Sequence, residues 1–170
     1  MNDELIGKTA ELLKMLEPCF LPYPIFEQVA RLIALPIIEF IPFKKTDEGI
    51  KVLLLRRPEN DPIWPNELHT PGTVIRATDI GIGESIWRPF ERILNDELLG
   101  THVSKPHFVG SIMHQSRRGT EQAQIYWLEI LDDPKIGELH SLDHLPKEFL
   151  ESQRNFVFQA AESFKRSRAN

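Results

Sequence analysis

Cysteine is almost missing from this chain. Cys19 stands alone among 170 residues, so neither an intramolecular disulfide nor a thiolate zinc cluster can form. It lies between Pro18 and Phe20 with no basic neighbour, which points to a buried, inert thiol rather than a nucleophile. Positive charge is not in excess either: 20 Lys and Arg face 25 Asp and Glu, for a formal net charge of -5. That balance argues against a broad nucleic-acid surface, whose affinity rests on neutralising phosphates, but it leaves room for a small basic pocket holding one phosphorylated metabolite. No apolar run approaches the ~20 residues of a membrane span. The most apolar stretch, Leu32 to Phe43, is broken by Pro36, Glu39 and Pro42. The first residues, MNDELIGKTAELLKML, lack the basic start and unbroken apolar core of a signal peptide. A cytoplasmic location and no membrane partner follow by default. The sequence also lacks an H-E-x-x-H pair, a G-x-S-x-G elbow, a Walker loop and a G-x-G-x-x-G fingerprint.

What is present reads as one ordinary globular domain with alternating element types. Hydrophobic residues make up 41% and charged residues 26%, and the length suffices for a sizeable core. Leu5, Leu12, Leu13 and Leu16 recur at helical spacing within Asn2 to Leu16. Pro18, Pro22 and Pro24 end that helix, and Ile25 to Ile33 reads as a second, shorter one. Ile37 to Lys44 and Ile50 to Arg57 are strand-like around a Thr46-Asp-Glu-Gly49 turn, which predicts a hairpin. The all-apolar centre of the second run fits a strand covered on both faces. A Pro- and Asn-rich loop leads to His69-Thr-Pro-Gly-Thr73 and a short strand. A helix is predicted from Ser85, as cap, to Leu99. Strands follow over His107 to His114 and Gln122 to Leu131, joined by a polar SRRGTE loop, and an amphipathic helix closes the chain after Pro146.

The most informative stretch is GESIWRPFERILNDELLG, Gly83 to Gly100. It carries Glu84, Arg92, Asp96 and Glu97 on and around one predicted helix. Gathered carboxylates suit a hard, oxygen-loving cation, and such a cation beside a Gly turn suits cleavage of phosphate anhydrides. On residue type alone, an adjacent Asp and Glu on a helix are more often a solvated face than a metal site.

These residues resemble the Nudix box, GX5EX7REUXEEXGU with U a bulky aliphatic residue. Glu84 matches the first Glu, seven residues separate it from Arg92, Leu94 matches U, and Asp96-Glu97 match the Glu pair. Trp64 and the HTPGTV run resemble the W-x-LPGG-x-V segment that precedes the box. The likeness covers Leu35 to the C-terminus. It implies an α/β fold, a Nudix-like α/β/α sandwich with a mixed β-sheet over residues 35–170, preceded by an N-terminal helical extension over residues 1–34. The pattern is degenerate. Ile93 replaces the Glu after the box Arg, Leu99 replaces the box Gly with Gly100 displaced by one, Thr73 replaces the second Gly of PGG, and the loop before Glu84 is longer.

The resemblance implies a divalent-cation-dependent pyrophosphohydrolase acting on a nucleoside diphosphate derivative, with Mg²⁺ or Mn²⁺ held by Asp96, Glu97 and Glu84. The alternative, for which Ile93 speaks, is a catalytically inactive domain that binds a nucleotide or phosphorylated metabolite. Glu121, in the loop after Arg117 and Arg118, is the candidate to replace the lost carboxylate as base. Arg117 and Arg118 are candidates to grip phosphate, or are solvated loop charges. Gly72 supplies a tight turn. Trp64 stacks a base if it is exposed, or packs on the strand beneath. His69 and Arg76 flank the turn and meet anionic oxygens, or are surface residues. Arg92 orients a site carboxylate, or makes a helix salt bridge to Asp96. The expected partner is a small nucleotide-type molecule, with a homodimer as the default assembly.

Overall fold

The computed structural model describes residues 2–17, 21–79 and 87–169. Cys19, Glu84 and Ser85, singled out above, lie outside the described residues. The elements are α1 (Asp3–Lys14), α2 (Tyr23–Leu32), β1 (Leu35–Thr46), β2 (Gly49–Arg56), β3 (Leu68–His69), β4 (Gly72–Val74), α3 (Trp87–Asp96), β5 (His107–Ser116), β6 (Gly119–Glu129), β7 (Glu138–Ser141) and α4 (Glu151–Ala169).

The sheet runs β3-β2-β1-β6-β5, with β4 added to β1 and β7 to β2. Among the named strands of the described residues, β1 and β6 pair in parallel and the other pairs are antiparallel, so the sheet is mixed. The β1–β2 hairpin forms where the sequence predicts it, with Thr46 opposite Gly49. Gly49 has φ 118°, a turn conformation that suits glycine.

Strand alternation divides the core in two. On one face Leu35, Ile37, Ile41 and Phe43 of β1 meet Ala123, Ile125 and Trp127 of β6, together with Phe156, Val157, Ala160 and Phe164 of α4. On the other face Ile38 and Phe40 join Leu53, Leu55, Leu128 and the α3 residues Phe90 and Ile93. The result is an α/β/α sandwich. Val52 to Leu55 are all buried, as an all-apolar strand covered on both faces requires.

One edge of β1 is shared, and this creates the cleft. Along Phe43 to Thr46 it pairs with β2, whereas along Ile37 to Glu39 it pairs with β4. The far end of β2 turns away to meet β3, with Leu55 opposite His69. A gap therefore opens between the end of β2 and β4.

Several elements differ from the sequence reading, among them α3, which ends at Asp96 rather than Leu99. β7 is a short, polar strand added to β2; its Glu-Leu-His-Ser sequence offers no apolar run to announce it. The polar segment after β5 is a tight turn at Arg117-Arg118, with β6 already begun at Gly119. Among the described residues no helix is long and apolar enough to cross a membrane.

Candidate functional site

The gap between β2 and β4 widens into an open cleft of about 1180 Å³. Its floor includes Gly72 to Val74, one end carries Asp96 and Glu97, and Arg57, Arg76 and Arg118 reach its lining. Trp64 and Ile63 lie on the loop side, and Tyr23 and Phe26 of α2 on another wall.

Glu97 meets the Pro-Gly bend. The helix α3 ends at Asp96, and the carbonyl of Ile93 accepts from the N–H groups of both Glu97 and Leu98, at 2.9 and 3.0 Å. Leu99 then takes φ 49°, and Gly100 reaches back to the Leu94 carbonyl at 2.8 Å. That turn lets Glu97 aim at β4, where its Oε2 accepts a hydrogen bond from the Gly72 N–H at 3.3 Å. Burial pushes the Glu97 carboxyl up to about 7, against the lowering effects of Gly72 and Arg57. Asp96 also lines the cleft but is exposed.

Ile93 is only 1% exposed and packs in the α3-side core with Phe40 and Phe90. It is a core residue here. A carboxylate at that position would be buried among apolar side chains, at a cost of several kcal/mol on the order of an unpaired buried charge.

A buried carboxylate escaped the sequence reading. Glu39 of β1 faces the α4 side, opposite Gly72 in the β1–β4 register. It accepts from Thr70 Oγ1 and Gln153 Nε2, each at 3.0 Å. Burial pushes it up to about 8, and the Glu121 charge adds to the rise. The only hint was a single acid inside an otherwise apolar strand sequence, which read there as an interruption.

Glu121 is corrected in place. It is the third residue of β6, not part of a loop, and is 2% exposed. Arg118 holds its Oε1 through Nε at 2.7 Å and Nη2 at 2.6 Å. His114 Nε2 lies 3.1 Å from its Oε2 without the alignment of a hydrogen bond. Burial opposes the Glu121 charge, but His114 and Arg118 outweigh it and hold the carboxyl below its usual value. So engaged, Glu121 faces the α4 side of the sheet, whereas Ile93 packs in the α3-side core.

The basic pair splits. Arg118 lines the cleft, with its guanidinium 5.1 Å from the Trp64 ring centre. Arg117 points away and pairs with Glu67 and the Ile63 carbonyl. Arg57, unremarked in the sequence, sits 5.0 Å from the Trp64 ring centre and donates to Asp61 at 2.8 Å. Two guanidinium groups thus attend Trp64, which is 5% exposed. The indole is a buried platform for cations, not an open surface for a base.

His69 is likewise buried, at 8% exposure, rather than a surface residue. Its Nδ1 lies 2.8 Å from the Thr70 carbonyl. Burial, reinforced by Arg57, pulls its pKa down to about 3, so it is neutral at pH 7 and carries no charge to an anion. Arg76 is half-buried beside the cleft, and its N–H donates to Asp79 at 2.7 Å. Arg92 does neither of the two things considered for it. It pairs with Asp79 and donates through Nη2 to Thr73 Oγ1 and the Val74 carbonyl, at 3.2 and 3.1 Å, tying α3 to β4. Among the described residues no group of three His, Cys, Asp or Glu side chains is disposed to hold a metal ion.

The fold agrees with that of several solved structures. The NUDIX domain of Shewanella oneidensis NrtR, a structure complexed with ADP ribose, matches with TM-score 0.58 and 18% identity over 96% of this chain and 99% of that one. A mutT/nudix family protein from Listeria innocua matches with TM-score 0.59 and 15% identity over 78% of this chain and 95% of that one. This is a Nudix fold. At such identities the Nudix likeness concerns the fold alone. The longer S. oneidensis NrtR chain matches with TM-score 0.56 and 19% identity over 78% of this chain, which spans 64% of NrtR's length. No protein-family model matches the sequence. No curated protein matches it either.

Proposed function

We propose that this Nudix-fold domain binds a nucleotide-type molecule carrying a diphosphate, as a binding or regulatory module rather than as an efficient hydrolase. The observation that carries the reading is the division of the cleft. One region gathers Arg57 and Arg118 around Trp64, close to the Gly72 turn, and another presents apolar and aromatic side chains. A diphosphate suits the first, since guanidinium groups grip phosphate in a planar, bidentate way. A nucleoside suits the second. The ADP ribose bound by the NrtR NUDIX domain has both parts.

The donor set argues against efficient turnover. Mg²⁺ or Mn²⁺ would find Asp96, which is exposed, and Glu97, which is already bonded to Gly72. The position that would add a third carboxylate is Ile93, in the core. Among the described residues Asp96 and Glu97 do not by themselves build a three-carboxylate metal centre; Glu84, the third ligand the resemblance implies, lies outside the described residues.

Hydrolysis is the second reading, and one observation favours it. Glu97 lines the cleft with a carboxyl near 7, the range in which a general base works best. Mg²⁺ needs only one or two carboxylates when substrate phosphates complete its shell. Isothermal titration of the protein with ADP ribose tests binding. Saturable uptake of one ligand per chain is expected. Absence of heat or of any competing displacement up to millimolar ligand overturns the reading.

A further inference from the structure

The segment ahead of the sandwich contributes a wall of the cleft. Pro24 lies in the first turn of α2, where its fixed φ suits a helix start. Tyr23, Phe26, Ala30 and Ile33 follow at helical spacing. The face they mark does two jobs along its length. Ala30 is 2% exposed in the α4-side core, whereas Tyr23 and Phe26 line the cleft. Tyr23 keeps 39% of its surface exposed, and Phe26 is half-buried against the same core.

The seat of α2 is tight. A Cβ at Gly119 would stand 2.7 Å from the Ala30 carbonyl oxygen, and Gly119 has φ 135°. Both facts call for glycine at that position. Gly119 directly follows Arg118, which lines the cleft beside Trp64. A single contact thus joins the end of α2 to the turn that carries the cation. The spacing between the aromatic wall and the guanidinium is set by packed structure rather than by a free loop.

The size of the cleft points the same way. About 1180 Å³ is more than a diphosphate alone would fill, and lies above the roughly 300–1,000 Å³ of small-molecule pockets in general. Trp64 is buried under two guanidinium groups and offers no open ring. Tyr23, by contrast, lines the cleft and keeps 39% of its surface exposed.

We infer that α2 is the base-recognition element of the cleft, with Tyr23 stacking on the flat ring of a nucleobase and Phe26 backing that wall. The inference rests on the nucleotide-binding reading above and adds to it which part of the ligand is recognised, and by which element. It makes the residues before β1 part of the binding site. A ligand with a phosphate and sugar but no base would then bind without using α2.

The test is an NMR-detected titration, which reads affinities into the millimolar range, with two probes: ADP ribose and ribose 5-phosphate. Tyr23→Ala weakens ADP ribose by about tenfold or more, the scale of one base–aromatic stack, and leaves ribose 5-phosphate unchanged. Tyr23→Phe restores ADP ribose binding. Phe26→Leu, which preserves bulk in the core, shows a smaller loss of the same selectivity. Thermal melts verify that each variant folds. Equal ADP ribose affinity in wild type and Tyr23→Ala overturns the inference while leaving the nucleotide-binding reading intact. Equal losses for both probes also overturn it. Failure of wild type to bind either probe overturns both.

Discussion

Glu39 and Gly72 face each other in the β1–β4 register, and a Cβ added to Gly72 would stand 2.5 Å from Glu39 Oε2. The same glycine donates its N–H to Glu97. A buried carboxyl, Glu39, and a half-buried one, Glu97, thus converge from the two sides of the sheet on a residue that must have no side chain. Gly72→Ala should destabilise the protein by about 1–3 kcal/mol, the usual scale of overpacking. Urea denaturation measures it. In a Glu39→Ala background the same substitution should cost less, because the clashing carboxyl is gone; a double-mutant cycle reads the difference.

Glu39 gives a pH signature. Its carboxyl titrates near 8 in the fold and 4.5 in the reference state. Between those values the unfolded chain has lost the proton that the folded chain keeps, so this group lowers stability as pH rises through the window. Glu97, raised to about 7, acts in the same sense over a shorter range. His69 acts oppositely: lowered to about 3 from 6.5, it makes stability climb from pH 3 to 6.5. Glu39→Gln removes one term while keeping an amide oxygen to accept from Thr70 and Gln153. The melting temperature of Glu39→Gln relative to wild type should therefore rise from pH 4.5 to 8 and level off above it. A difference that stays flat across that range contradicts the assignment.

Leu99 occupies the left-handed region at φ 49° with 49% of its surface exposed. An L side chain is strained there, and little packing is lost by removing it. Leu99→Gly should stabilise the protein by about 0.5–1 kcal/mol, read as a higher urea midpoint at unchanged slope.

Arg118 and Arg117 are adjacent in sequence but placed apart: Arg118 lines the cleft and Arg117 pairs with Glu67. Arg118→Met should weaken ADP ribose binding by about 1.5–3 kcal/mol, the value of hydrogen bonds to a charged group. Arg117→Met, which removes an exposed pair with Glu67, should stay within about 0.5 kcal/mol. Titration calorimetry on the two variants separates them.

Much of the fold was legible because apolar runs and turn residues agree. The β1–β2 hairpin is announced by two hydrophobic stretches around Thr46 to Gly49, and α4 by its helical spacing. β7 was not legible, since four mostly polar residues are ordered only by pairing with β2. The approach of Glu97 to Gly72 joins two residues that the sequence singled out separately. The burial of Glu39, Glu121 and His69 was not legible, because polar residues reveal their partners only when distant strands meet; for Trp64 the packed alternative was the one realised. Gln153 lies 114 residues from the Glu39 it bonds. Arg92 failed for a related reason: its partner Asp79 comes from the loop after β4, whereas sequence spacing offered only helix neighbours. The cleft role of α2 was hidden because sequence spacing marks a helix face without naming what it faces.

Under the reading proposed above, the cleft holds a nucleoside diphosphate without efficiently cutting it. The most direct test incubates the wild-type chain at micromolar concentration with saturating ADP ribose and millimolar Mg²⁺ or Mn²⁺, and follows AMP and ribose 5-phosphate by chromatography. The ligand should be recovered intact from a protein that demonstrably binds it. Steady multiple-turnover release of both products, abolished by Glu97→Gln, would contradict the claim and restore hydrolysis as the function.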